Sequence, residues 1–252
     1  MYTLKKSLGQ HFLRDNHIIE EILNALSKHA FDQLLEVGPG GGALTQHLYK
    51  LPEVKFKAVE LDQEKIDYLS KTFTGLSSQI VSGDFLKMEM PFENAFTVIG
   101  NFPYNISSQI LFKLLDWRDN VPVIIGMFQK EVAQRVASAP RSKDYGVLSI
   151  LIQAYYNVEY LFDVPPESFN PPPKVMSGVI RLTRRTEPIP MKSEKAFKLL
   201  VKTAFNQRRK TLRNALKGVL PPEELQKDIY TKRAEELSVA TFAELSFKLF
   251  AS

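Results

Sequence analysis

Two stretches of this chain hold residue types from which a binding or reacting site could be built. One is Asn101-Phe102-Pro103-Tyr104, which follows the apolar run Phe96-Thr97-Val98-Ile99-Gly100. Pro103 has no N–H to give a sheet, so the chain has to leave the ladder here. On leaving, it presents an amide side chain, the backbone carbonyls flanking a proline, and a phenol ring. An amide oxygen and a carbonyl can accept both N–H bonds of an exocyclic amine, while a ring stacks on the flat molecule that carries it. Taken alone, the tetrapeptide is equally what an ordinary strand-ending turn would look like.

The other stretch is Glu36-Val37-Gly38-Pro39-Gly40-Gly41-Gly42-Ala43, again after a short apolar run. Glycines at this spacing let the backbone approach a ligand closely, and a carboxylate, Glu60, stands where a ribose-binding acid belongs. The pattern alone leaves open a nicotinamide dinucleotide or another adenosine-containing cofactor. Glu36 and Asp84 separate the two. A carboxylate inside the loop disfavours a pyrophosphate and suits a cation. S-adenosylmethionine carries a sulfonium and an ammonium and no phosphate, and Asp84 is placed to accept its adenine amine. Taken singly, each acid reads more readily as a helix cap or a surface charge; taken together, they do not.

The elements that must position these residues alternate. Short strands are expected at Leu34–Val37, Phe56–Val59, Gln79–Val81, Phe96–Gly100 and Val121–Met127. Helices are expected from near Asn16, over Ala43–Tyr49 and Gln63–Lys71, around Ile106–Leu115, and over Gln129–Ala137 and Val147–Tyr155. Such alternation predicts an α/β, doubly wound, mostly parallel sheet, in which ligands bind beyond the carboxyl ends of the strands. The glycine loop, Glu60, Asp84 and Asn101 each follow a strand, so they should converge on one crevice. Val158–Phe162 and Val175–Leu182 read as a further strand pair at the sheet edge. Between them, five prolines predict a stiff, extended loop rather than a strand.

Composition narrows the chemistry. There is no cysteine, which removes disulfides, thiolate metal sites and covalent cysteine adducts. The 4 histidines form no cluster at ligand spacing, so no metal is expected. No apolar run is long enough for a bilayer, and the expected location is the cytoplasm. Net charge is +5, and it is unevenly spread. Arg181 to Lys217 holds 12 Lys and Arg against 2 acids. Within it, Arg208-Arg209-Lys210, with Arg213 one helical turn on, predicts a phosphate-binding ridge, which Lys5, Lys6 and Arg14 would extend. Composition shifts near Thr186, giving residues 1–185 as the cofactor domain and 186–252 as a smaller, all-helical domain that carries the basic ridge.

Taken in order, Glu36–Gly42, Glu60, Gly83-Asp84 and Asn101–Tyr104 resemble the motifs of class I S-adenosylmethionine-dependent adenine-N6 methyltransferases, with a Rossmann-like sheet. Gly9-Gln10-His11-Phe12-Leu13, Gln129–Ala133, Ser142–Gly146, Phe169–Val175 and Ala204–Asn214 resemble one branch, the small-subunit ribosomal RNA adenine dimethyltransferases. The resemblance implies that His11, Leu13, Gly38, Glu60, Asp84 and Asn101 line the cofactor site, and Glu36 and Gly40, read from the loop itself, are expected to bind the cofactor with them. It implies that Asn101 and the Phe102 carbonyl hold the adenine amine, and that Tyr104 stacks on the base, with Phe169 a candidate for its other face. It further implies small-subunit rRNA in the 30S subunit as partner, with residues 186–252 as an RNA-binding domain, and two adjacent adenosines near its 3′ end as target; a monomer is expected. Position 11 is commonly Asn in the family and is His here; Phe102 stands where Leu or Pro is usual. A large-subunit rRNA methyltransferase and a non-catalytic ribosome-assembly factor are the competing readings. A nicotinamide oxidoreductase is weaker, since no acid–base residue for hydride transfer stands out.

Overall fold

A computed structural model describes residues 11–207 and 209–250. Lys5, Lys6 and Arg208 lie outside the described residues. In chain order the strands are β1 (Phe12–Leu13), β2 (Gln33–Val37), β3 (Lys55–Glu60), β4 (Ile80–Ser82), β5 (Thr97–Asn101), β6 (Val123–Gln129), β7 (Tyr156–Val164), β8 (Phe169–Asn170) and β9 (Ser177–Arg184). The helices are α1 (Asn16–Ser27), α2 (Thr45–Leu48), α3 (Gln63–Thr72), α4 (Ser107–Asp116), α5 (Lys130–Ala137), α6 (Val147–Gln153), α7 (Glu194–Asn206), α8 (Leu212–Ala215) and α9 (Val239–Ser246).

Seven strands form one sheet in the order β4-β3-β2-β5-β6-β9-β7. The pairs from β4 to β6 are parallel, and β9 runs antiparallel to β6. This is the expected α/β, doubly wound, mostly parallel sheet. All five residues of β2 are buried, as expected of a central strand covered on both faces. The chain goes from β2 outward to β3 and β4, then returns to β5 on the other side of β2. That reversal opens a crevice at the carboxyl ends of β2 and β5, directly under Gly38 and Asn101.

Three local expectations are corrected. The helix expected over Ala43–Tyr49 is only Thr45–Leu48, because the chain turns through residues 40–44 first. Gly38 (φ 72°) and Gly40 (φ 57°) take left-handed conformations that keep this segment out of a helix. The proline-rich loop is not wholly irregular. Its Phe169–Asn170 pairs antiparallel with Phe12–Leu13, which ties the start of the described chain to the loop.

The third correction concerns the boundary. The chain divides into two compact units. One comprises the stretch ending at Ala133 together with Val158–Arg184; the other comprises Gln134–Asn157 and the chain from Arg185. Gln134–Asn157 was expected with the first unit. Its helix α6 has Ile150 and Leu151 in one core with Phe197, Leu200 and Phe242. The Tyr145 hydroxyl also donates to the Leu237 carbonyl at 3.0 Å. The first unit has its own core, in which Leu34, Ala58, Ile99 and Ile125 of the sheet meet Ile18, Ile22 and Leu26 of α1.

Candidate active site

One cavity of about 250 Å³ opens at the carboxyl ends of β2 and β5. Its walls include His11, Leu13, Glu36, Gly38, Gly40, Glu60, Asp84, Asn101, Phe102 and Tyr104. Every residue expected at the cofactor and amine sites therefore lines the same space. Leu61, Phe85 and Leu86 add an apolar wall that sequence reading did not single out. Leu61 follows Glu60 and Phe85 follows Asp84, with Leu86 one residue further, and that nearness to the two carboxylates was the signal available.

Asn101 ends β5, and its amide is oriented by a specific bond. Nδ2 donates to the His11 carbonyl at 3.1 Å, which commits the donor end and makes Oδ1 the acceptor end. His11 thus contributes through its backbone, and its side chain does something else. The imidazole donates from Nδ1 to the Pro171 carbonyl at 2.9 Å, and its ring lies 5.7 Å from that of Tyr104 at 29°. The departure from Asn at position 11 leaves the carbonyl that holds Asn101 in place. Tyr104, in turn, hydrogen-bonds through its hydroxyl to that of Ser177. Burial raises the Tyr104 phenol above its usual value, the bond to Ser177 acting in the opposite direction.

Phe102 turns its side chain away from the ligand side. It is fully buried and packs on Phe128, ring centres 4.9 Å apart. A Cβ at Gly126 would come within 2.4 Å of the Phe102 ring, so a small residue opposite accommodates the larger side chain at position 102. The backbone N–H of Phe102 donates to the Met127 carbonyl at 3.1 Å, which sets the peptide plane that Pro103 then redirects.

The three carboxylates differ in their partners. Glu36, 2% exposed, has its carboxyl pushed up to about 8 by burial, against a hydrogen bond from the Thr45 hydroxyl and with the Glu60 charge adding to the rise. That bond is 2.7 Å long. Glu60 ends β3 and accepts the N–H groups of Leu61 and Asp62 at 2.9 and 3.0 Å. Its other oxygen faces the Gly40 N–H at 3.4 Å and the Lys65 ammonium at 3.7 Å. Asp84 accepts from the Leu86 N–H at 3.0 Å and faces Lys87 at 3.7 Å.

This donor set suits a ligand with hydroxyls, amines and positive charge. The Gly40 N–H points to a carboxylate rather than to an open anion hole, and the helix after the loop has only four residues. Both features disfavour a pyrophosphate. S-adenosylmethionine has the complementary groups: ribose hydroxyls that Glu60 would accept, an adenine amine that Asp84 would accept, and a charged end that Glu36 and the loop would face. Among the described residues no cluster of metal-ligating side chains occurs.

Two expected nucleic-acid contacts are placed differently. Phe169 is 1% exposed, sits in the first unit's core and does not line the cavity. Arg213 lies on α8, not one turn along the helix that precedes Arg209, because α7 ends at Asn206. Its Nε donates to the Leu225 carbonyl at 2.8 Å and an Nη to the Gln226 carbonyl at 3.2 Å, so its guanidinium is used to hold the chain. Arg209 and Lys210 are exposed in the turn between α7 and α8. No helix among the described residues is long and apolar enough to cross a membrane.

Comparison with known proteins gives the context for this geometry. Two relatives are each called ribosomal RNA small subunit methyltransferase A. That of Cytophaga hutchinsonii is 49% identical, over 96% of this chain and 95% of its own length. That of Porphyromonas gingivalis is 50% identical, over 97% of both. A crystal structure of a dimethyladenosine transferase from Plasmodium falciparum is similar with a TM-score of 0.81 and 26% identity, over 96% of this chain and all of that one. The 23S rRNA methyltransferase ErmE is similar with a TM-score of 0.69 and 25% identity, over 92% of this chain and 99% of that one. A family model described as ribosomal RNA adenine dimethylase matches residues 1–250, both units together, and the chain belongs to that family.

Proposed function

We propose that this chain transfers methyl groups from S-adenosylmethionine to N6 of two adjacent adenosines near the 3′ end of small-subunit ribosomal RNA, giving N6,N6-dimethyladenosine. The orientation of Asn101 carries the reading. Its Nδ2 is held by the His11 carbonyl, and Oδ1 is left to accept an N–H inside a cavity walled by Tyr104. Identity near 50% to two small-subunit enzymes, against 25% to a large-subunit one, favours the small subunit.

When bound, S-adenosylmethionine supplies an electrophilic methyl on a sulfonium leaving group. The protein's part is orientation. Adenine N6 is a poor nucleophile because its lone pair is delocalised into the ring. Asn101 Oδ1 and the Phe102 carbonyl accept its two hydrogens, favour a more tetrahedral nitrogen and aim the lone pair. Tyr104 stacks on the base, which must leave its own stack to enter the cavity. No general base is needed beforehand, since N6 becomes acidic only after transfer. His11, Leu13, Glu36, Gly38, Gly40, Glu60 and Asp84 hold the cofactor.

The helical unit holds the RNA, with Arg209 and Lys210 on phosphates and Arg208 added from its place in the sequence. The substrate is the 30S subunit, the enzyme works in the cytoplasm where ribosomes are made, and it works as a monomer. The test is incubation of unmethylated 30S subunits with labelled S-adenosylmethionine, followed by nucleoside identification. N6,N6-dimethyladenosine in small-subunit RNA is the expected product. Label in large-subunit RNA would favour the ErmE-like reading, and no label at all would leave an assembly factor.

A further inference from the structure

We propose that Ser177 is a positioning residue of the adenine site, acting through the hydroxyl of Tyr104; the inference rests on Tyr104 being the platform for the target base. A stacking platform uses the face of a ring, and a phenylalanine offers the same face. The hydroxyl of Tyr104 therefore needs another explanation, and the structure supplies one in its hydrogen bond to the Ser177 hydroxyl.

Ser177 is suited to be a fixed point. It is fully buried and opens β9, where it stands in register opposite Gln129, the last residue of β6. The residue before it is pinned as well: the Met176 carbonyl accepts the Lys130 N–H at 2.9 Å. The hydroxyl is thus carried on sheet backbone rather than on the loop that arrives there. Tyr104 by contrast lies just past a proline turn, where its ring would otherwise be free to swing. Three constraints define the ring. The turn after Pro103 sets its root, the His11 imidazole covers one face, and Ser177 holds the far end.

The same chain of contacts reaches the amine clamp. His11 lends its carbonyl to Asn101 and its ring to Tyr104, while its Nδ1 is anchored on Pro171, in the loop that leads to Ser177. Clamp and platform are therefore set against each other. With one face taken by His11, the base has a single face of Tyr104 to stack on. A change in the tilt of that ring would carry the adenine amine away from Asn101 Oδ1, and a displacement on the order of 1 Å is enough to cost about a hundredfold in rate. Burial keeps the phenol protonated, so its role in this network is anchoring and not proton abstraction.

The test is a double-mutant cycle of Ser177→Ala, Tyr104→Phe and the pair, assayed on unmethylated 30S subunits. Each single change should lower kcat by about tenfold, the loss expected of one buried hydrogen bond felt in the transition state. KM for the subunit should stay within about threefold, and the Kd for S-adenosylmethionine by calorimetry should not move, because the bond serves the base and not the cofactor. The double variant should be no slower than either single one. Additive losses, or an unchanged kcat in either single variant, would overturn the proposal. Should Ser177→Ala fail to fold, Tyr104→Phe decides alone: full activity there sinks the idea. Absence of dimethyladenosine from the wild-type reaction would instead count against the proposed function, so the two failures are distinguishable.

Discussion

Replacing Glu36 by Gln should flatten the pH dependence of the protein's stability between pH 5 and 9. Glu36 is 2% exposed, and burial pushes its carboxyl from an ordinary 4.5 up to about 8. An acid whose folded pKa is raised binds more protons in the native than in the unfolded state, so unfolding becomes easier as pH rises. Its contribution is fully present below pH 4.5, falls as pH climbs through about 8, and is gone above that. The gap is about 3.5 pH units, which at 1.36 kcal/mol per unit is worth at most about 5 kcal/mol. Gln is the same shape, cannot ionise, and can still accept the Thr45 hydroxyl through Oε1. Urea unfolding of both proteins from pH 5 to 9 checks this. The variant should gain on the wild type by several kcal/mol from one end to the other, with other titrating groups cancelling in the difference. A difference that stays constant across the range would refute the argument. The same logic reaches the cofactor. A cation lodged beside Glu36 favours the carboxylate, so binding of S-adenosylmethionine at pH 7 should release a proton from the wild type and none from the variant. Calorimetry in buffers of different ionisation heat reads that release directly.

Three further outcomes follow from the geometry. Asn101→Ala removes the acceptor but none of the phosphate contacts, so kcat should fall by about 10²–10³ while RNA affinity stays within a few-fold; a fully active variant would end the amine-clamp assignment. Phe169→Leu should leave kcat per folded molecule unchanged, and Phe169→Ala should cost about 3–5 kcal/mol in denaturant melts, as befits a core ring rather than a base contact; a tenfold fall in kcat for the leucine variant would restore it to the adenine site. Arg209→Ala and Lys210→Ala should each reduce the salt slope of RNA binding by about 1, whereas Arg213→Ala should lower stability by about 1–3 kcal/mol through the carbonyls of Leu225 and Gln226, with its own salt slope unmoved.

What could be read from the chain before its structure was the part governed by local rules. Strand periodicity, a proline that ends a ladder, and glycines before a turn all act within a few residues, and they placed Gly38, Glu60, Asp84 and Asn101 at like positions on successive strands. A doubly wound sheet then brings such positions together without further information, which is why the cavity contains all of them. The expectations that needed correcting depended on contacts far apart in sequence. Nothing near Phe169 indicates that it will pair with Leu13 and turn inward, and nothing near Arg213 indicates the carbonyls at Leu225 and Gln226. Gln134–Asn157 was assigned by its place in the chain, though its run Val147-Leu148-Ser149-Ile150-Leu151-Ile152 has no polar face and so asked for a second partner surface. Ser177 shows the limit most clearly. A serine at the start of a strand carries no signal of its own, and its partner Tyr104 is distant in the chain. The groups that line the cavity were legible because their chemistry is unusual in type; the groups that hold them still were not, because their chemistry is ordinary and only their position is informative.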